Sequence, residues 1–237
     1  MKKVVLIKAN KGGVGKSWIT LQLAHKRAME GKKVIIITSD SQNNILDFAG
    51  VETDAPLGLD EWLKNGDGGF IELRDNLNYI PFHSSVLSED LEVRFESFIN
   101  AMKKEYDYIF IDSTPVLNLD KKFIELADEV VIPTFLDQVT LGSIAILIDQ
   151  IKPKSKVKAI IPNRAGRTKL EKDYYSKLME FVSNRILLTI PIKQSAFVSK
   201  VIDQGKTIWE YKSREAAVLQ KLLSEVLEVL WCQAQIN

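Results

Sequence analysis

Near the start of the chain, Lys11-Gly12-Gly13-Val14-Gly15-Lys16-Ser17 brings together glycines, two lysines and a hydroxyl. This is the chemistry of a phosphate cradle. Gly12, Gly13 and Gly15 allow a tight turn that aims backbone N–H groups at anionic oxygens. A helix opening at Lys16 would present the positive end of its dipole to the same anion. Lys16 suits the β- and γ-phosphates, and the Ser17 hydroxyl suits Mg²⁺. The spacing departs from the usual GxxxxGK[ST] loop, because Asn10 stands at the first glycine position.

Such a loop works only between a strand and a helix, and the flanking sequence supplies both. Short Val- and Ile-rich runs predict strands over 3–8, 33–38, 77–82, 108–112, 129–133, 157–162 and 185–190. Several are apolar at consecutive positions, as strands covered on both faces are. Amphipathic stretches over 16–30, 88–105, 138–151, 168–183 and 213–231 predict helices between them. The alternation reads as an α/β, doubly wound, mostly parallel sheet flanked by helices. The interval 51–76 is rich in Gly, Asp and Asn and reads as exposed turns around NGDGG. No linker divides the 237 residues, so residues 1–237 are expected to be one domain without an N-terminal helix-turn-helix.

Composition narrows the function classes. The chain is 46% hydrophobic and 27% charged, which excludes disorder and a rod. The lone Cys232 excludes an intramolecular disulfide, a CxxC metal site and a two-cysteine cluster ligand set. The apolar run at the start stops at Ile7, and none reaches the roughly 18 residues of a membrane span. His25 and His83 lack ligand neighbours at metal spacing, and Trp62, Trp209 and Trp231 are read as packing residues. A net charge of +1 conceals an asymmetry. Residues 1–150 carry 16 Lys+Arg against 23 Asp+Glu, and residues 151–237 carry 16 against 8. Lys152, Lys154, Lys156 and Lys158 occupy alternate positions and, if extended, share one face. With Arg167, Lys193 and Lys200 they make a candidate DNA-binding surface.

The string KGGVGKS resembles the deviant Walker A of the ParA/MinD family of P-loop ATPases. The likeness runs through nearly the whole chain. YDYIFIDSTP at 106–115 is similar to the family's Walker B strand, ADEVVIP at 127–133 to its next strand, and Ile161-Pro162-Asn163-Arg164 to its VxNR segment. Ile190-Pro191 and the GKTIWEY run at 205–211 resemble the region that closes over the base.

The resemblance implies roles. Lys11 would reach across a two-fold interface to the nucleotide of a second subunit, and Asp40 would position the attacking water. Asp112 would join Ser17 at Mg²⁺ through water, since a carboxylate ending a buried strand is costly unless it serves a charge. Asn163, Arg164 and Pro191 would hold adenine, while Val14 and Trp18 complete the phosphate-binding stretch 11–18. Two departures stand out. Thr38 replaces the family's first aspartate, and Trp18 replaces a threonine after the Mg²⁺ ligand.

Closest in kind are small ParA-type partition ATPases. That implies an ATP hydrolase using ATP and Mg²⁺, a homodimer closed by ATP, nonspecific DNA and a centromere-binding partner protein. The location implied is cytoplasmic, on the nucleoid when ATP is bound. The alternative is a MinD-like membrane-cycling ATPase. It is disfavoured because the C-terminal helix opposes Glu215, Glu225 and Glu228 to a single Lys221.

Overall fold

A computed structural model of the chain describes residues 2–53, 57–84, 89–114, 117–182 and 184–231. Cys232, Pro115, Ser88 and Ser183 lie outside the described residues. The strands are β1 (Lys3–Ile7), β2 (Val34–Thr38), β3 (Ile71–Arg74), β4 (Leu77–Ile80), β5 (Tyr108–Asp112), β6 (Glu129–Thr134), β7 (Val157–Pro162) and β8 (Leu187–Leu188). They form one sheet in the order β3-β4-β2-β5-β1-β6-β7-β8, parallel throughout except that β3 runs antiparallel to β4.

The central strands are buried along their whole length, which explains their unbroken apolar sequences. Successive side chains serve opposite layers. Val4 and Leu6 of β1 join one core, Val5 and Ile7 the other. The first core is covered by α3 (Leu59–Asn65), α4 (Glu89–Glu105), α5 (Leu117–Leu126), α6 (Gln138–Gln150) and α7 (Lys169–Phe181). The second is covered by α1 (Lys16–Met29), α2 (Asn44–Ala49), α8 (Ala196–Asp203) and α9 (Arg214–Trp231). Helices on both faces of a parallel sheet are the doubly wound arrangement that the strand–helix alternation predicts.

Register brings the chemistry to one edge. Ile7 and Thr38 both pair with Asp112, so β1, β2 and β5 end level. The chain leaves β1 towards β2 on one side and later returns to β6 on the other. Ligands of open parallel sheets bind in the crevice at such a reversal, outside the carboxyl ends of the strands.

Several expectations change. The turn-rich interval contains α3, closed at its start by the Glu61 carboxylate accepting from Gly58 N and at its end by Gly66 with φ 74°. It also contains β3, which turns into β4 through Asn76 with φ 63°. The predicted strand over 185–190 shrinks to Leu187–Leu188. Lys152 to Lys158 do not form one extended face. Pro153 follows a cis peptide bond, Lys154–Lys156 make a 3-10 turn, and only Lys158 lies in β7.

Candidate functional site

The glycine loop connects buried β1 to α1, the context its chemistry requires. Gly13 and Gly15 have φ of 74° and 92°, a region that costs L side chains strain. A Cβ at Gly15 would also fall 2.2 Å from Asn163 Nδ2. Gly12 has neither constraint, and a Cβ there would meet nothing within 4 Å. Backbone conformation therefore favours glycine at two of the three positions, and packing adds a second demand at Gly15. Gly15 caps α1, and its carbonyl accepts from Ile19 N at 3.0 Å. The N–H groups of a first helical turn have no partner within the helix, which suits them to an anion.

A cleft of about 580 Å³ opens at this point. Gly12, Gly13, Gly15, Lys16, Ser17 and Trp18 line one side, with Asp40 and Asp112 from the ends of β2 and β5 facing them. The ends of β2 and β5 are tied together. Thr114 N donates to Ser39 Oγ at 2.9 Å, Thr114 Oγ1 to Ser39 O at 3.2 Å, and Ser39 N to Asp112 O at 3.1 Å. Thr38, standing where a family aspartate is expected, donates its hydroxyl to Asp112 O at 3.3 Å and accepts from Asp40 N at 3.0 Å. The Asp40 carboxylate accepts from Gln42 N at 3.0 Å, which shapes the turn into α2.

Asp112 is the most perturbed acid in the cleft. Burial pushes its carboxyl up to about 6, against the opposing pull of the Ser17 hydroxyl and the Lys16 charge. One of its oxygens, Oδ1, is buried without a hydrogen-bond partner among the described residues. A divalent cation satisfies such an orphaned oxygen. The donors present, a hydroxyl and a carboxylate beside a phosphate loop, are the hard oxygen set that Mg²⁺ takes when phosphates and waters complete its shell. Among the described residues no group of three or more His, Cys, Asp or Glu converges as an all-protein metal cage. The site therefore fits Mg²⁺ bound jointly with phosphate.

Lys11 and Val14 do not line the cleft. The Lys11 ammonium pairs with Asp137 of its own chain at 2.8 Å and sits over the Phe135 ring at 5.2 Å. Burial opposes ionisation of Asp137, but bonds from Lys11 and Thr140 outweigh it and hold its pKa below the usual carboxylate value. Val14 is fully buried and offers only its backbone. Asn163, at the end of β7, donates to Val14 O at 2.8 Å and accepts from Arg164 N at 2.9 Å. Its amide therefore braces the loop. Arg164 reaches the cleft from a left-handed backbone, φ 53°. Pro191 does not line the cleft, whereas the adjoining Ile192 and Lys193 do.

Sequence reasoning missed a further wall of the cleft. It is built by Phe48 of α2 and by Val198, Ser199 and Ile202 of α8. An eight-residue helix carries too little periodicity to be read from the chain, although Ser195 accepting from Val198 N marks its start. The GKTIWEY segment is fastened to α1 instead of lying in the cleft. Ile208 N donates to Gln22 Oε1 at 2.8 Å and Trp209 Nε1 to Gln22 O at 2.7 Å.

The other singled-out residues scatter. His25 is buried, hydrogen-bonded to Thr207 Oγ1 at 2.7 Å, and held below its ordinary pKa by burial. Trp62 packs on Phe98 and donates to Gly69 O at 2.9 Å. The candidate DNA cations divide between the two ends of β7. Lys154 pairs with Asp149, and Lys156 donates to the carbonyls of Ile124 and Glu125. Arg167, Lys193 and Lys200 are exposed on segments that follow β7 and β8, and of the three Lys193 lines the cleft. No helix among the described residues is long and apolar enough to cross a membrane.

Comparison with known proteins agrees with this fold. The chromosome-partitioning ATPase Soj of Treponema pallidum is 24% identical over 256 residues, covering 96% of this chain and 98% of that protein. An McdA variant of Cyanothece in complex with ATP superposes with a TM-score of 0.79 at 20% identity, over 100% of this chain and 99% of its own. The septum site-determining protein MinD of Pyrococcus horikoshii, complexed with Mg-ADP, gives 0.75 at 21% identity over the full length of both chains. The two structures are evidence for the fold alone. The family model of the CobQ/CobB/MinD/ParA nucleotide-binding domain matches residues 5–208. That match begins inside β1 and runs past α8, taking in every wall of the cleft, and the chain belongs to this family.

Proposed function

We propose that the chain is a ParA-like ATPase of DNA partition, a single domain hydrolysing ATP to ADP and phosphate. The observation that carries this reading is the pairing of a phosphate loop with Asp112, whose buried Oδ1 has no partner among the described residues and whose carboxyl faces Ser17 and Lys16. The relative named as a chromosome-partitioning ATPase supports the biological assignment.

Each residue then has a task. The N–H groups of Gly13 to Ser17 hold the phosphate oxygens, and Lys16 balances the charge that accumulates as the terminal phosphate departs. Ser17 and Asp112 would hold Mg²⁺, which when bound neutralises phosphate charge and fixes the chain of phosphates in line. Asp40, on the turn after β2, orients the attacking water. Thr38 and the Ser39–Thr114 pair keep Asp40 and Asp112 at a fixed separation. Lys11 leaves Asp137 to reach the nucleotide of a second copy, so that ATP closes a homodimer. DNA binds the dimer nonspecifically through the basic second half, and a centromere-binding partner accelerates slow turnover. This places the protein in the cytoplasm, on the nucleoid while ATP-bound.

The DNA reading is preferred to membrane cycling on a packing argument. Leu222, Leu223, Val226, Leu227 and Leu230 turn the apolar face of α9 into the core, leaving it unavailable to lipid.

Lys16→Ala tests the site. Steady-state ATP turnover is expected to fall at least about 100-fold with the fold intact, a loss typical of removing one transition-state charge partner. Retained hydrolysis would sink the assignment.

A further inference from the structure

The lining of the cleft mixes polar and apolar side chains, and one of them has no task in the mechanism. Trp18 follows Ser17 in the first turn of α1. Its ring is 4% exposed, belongs to the core layer of α1, α2 and α8, and lines the cleft. Phe48, Val198 and Ile202 also line the cleft and pack against the same layer. The indole Nε1 is buried with no hydrogen-bond partner among the described residues. A buried tryptophan ordinarily finds an acceptor for that N–H, and an orphan calls for a specific cause. Asn163 also lines the cleft, and its amide already gives one N–H to Val14 O and takes one from Arg164 N.

We propose that Trp18 is a nucleoside-contact residue: with Phe48 and Ile202 it forms the wall on which base and ribose pack, and its indole N–H finds an acceptor in the bound ligand. This rests on the cleft being a nucleotide site. It assigns the tryptophan to the nucleoside end, where a threonine at this position would serve phosphate. Stacking on an aromatic ring is tolerant of base identity, so this wall contributes affinity more than selectivity.

The test compares ATP with inorganic tripolyphosphate, which has the phosphates and no nucleoside. Binding is measured by calorimetry and by tryptophan fluorescence. In the wild type, ATP is expected to change the fluorescence and tripolyphosphate to leave it nearly unchanged. Trp18→Phe should weaken ATP about 3- to 10-fold, abolish the fluorescence change, and leave tripolyphosphate affinity within about twofold. Phe48→Ala, at a half-buried ring, should also weaken ATP selectively with the core tryptophan intact. A purely structural Trp18 would shift the melting temperature without altering the ratio of ATP to tripolyphosphate affinity. Wild-type ratios and fluorescence changes in both variants would overturn the inference. Lys16→Ala separates the two failures, because it should weaken both ligands. If it weakens neither, the nucleotide reading itself falls.

Discussion

At the scale of single residues, Asp112 shows how a binding site is kept at the expense of stability. Its carboxyl is raised to about 6 by burial, so the unfolded chain releases this proton at lower pH than the folded one. Below about pH 4 the group is neutral in both states and costs nothing. As pH rises towards 6 the unfolded state ionises first and folding stability falls; above 6 the penalty is complete and constant. The shift corresponds to about 3 kcal/mol at neutral pH. Asp112→Asn should therefore stabilise the ligand-free protein by up to about 3 kcal/mol at pH 7.5. The gain should fade towards pH 4 in denaturant titrations run in EDTA without nucleotide. A gain independent of pH would mean that burial of the carboxylate is not its origin. The same variant should lose Mg²⁺-dependent nucleotide binding.

At the scale of elements, α2 and α8 are joined at their C-terminal ends, and both line the cleft. Gly50 and Gly205, with φ of 65° and 58°, approach so closely that a Cβ on Gly205 would lie 2.3 Å from Gly50 Cα. Arg74 of β3 fastens the pair, donating to Ala49 O at 3.0 Å, to Gly205 O at 2.9 Å and to Glu210 at 3.3 Å. Gly205→Ala must therefore displace backbone and strain φ together, and should cost roughly 2–4 kcal/mol. Gly66→Ala is the control. Its φ of 74° is similar, but a Cβ there meets nothing within 4 Å, so about 1 kcal/mol is expected. Urea midpoints measure both, and equal losses would show that strain alone operates at Gly205. This junction also marks where the chain stops being legible. β1, β2, β5, β6 and β7 can be read from consecutive apolar residues because burial on both faces leaves no alternative pattern. Helix α2 has six residues, and α8 eight; they are stable through partners far away in sequence, and no local period announces them. The site divides in the same way. The loop is legible because its chemistry is contiguous, whereas Lys11–Asp137 and Asn163–Val14 join residues 126 and 149 positions apart.

At the scale of the whole molecule, the basic second half does not present one continuous surface. Lys152 and Lys154 both act on Asp149, and Lys156 caps the carbonyls at the end of α5, all around the N-terminal end of β7. Cations already engaged with protein oxygens contribute less to counterion release than free ones, because binding phosphate means surrendering an existing partner. Arg167, Lys193 and Lys200 are exposed on the segments after β7 and β8, where Lys193 lines the cleft and Lys200 follows the cleft-lining Ser199. On the proposed reading, a DNA surface there would be assembled when two copies close over nucleotide, which would make DNA binding depend on ATP without any long-range rearrangement. The double variant Lys193→Ala/Lys200→Ala should weaken ATP-dependent DNA binding and lower the salt slope by about 2, one for each lost phosphate contact. Lys152→Ala/Lys154→Ala should leave both nearly unchanged. Fluorescence anisotropy with a random-sequence duplex at several salt concentrations measures the slopes. The reverse ranking would place the DNA at the opposite end of the sheet, away from the nucleotide, and coupling to ATP would then need a path through α5 and β7.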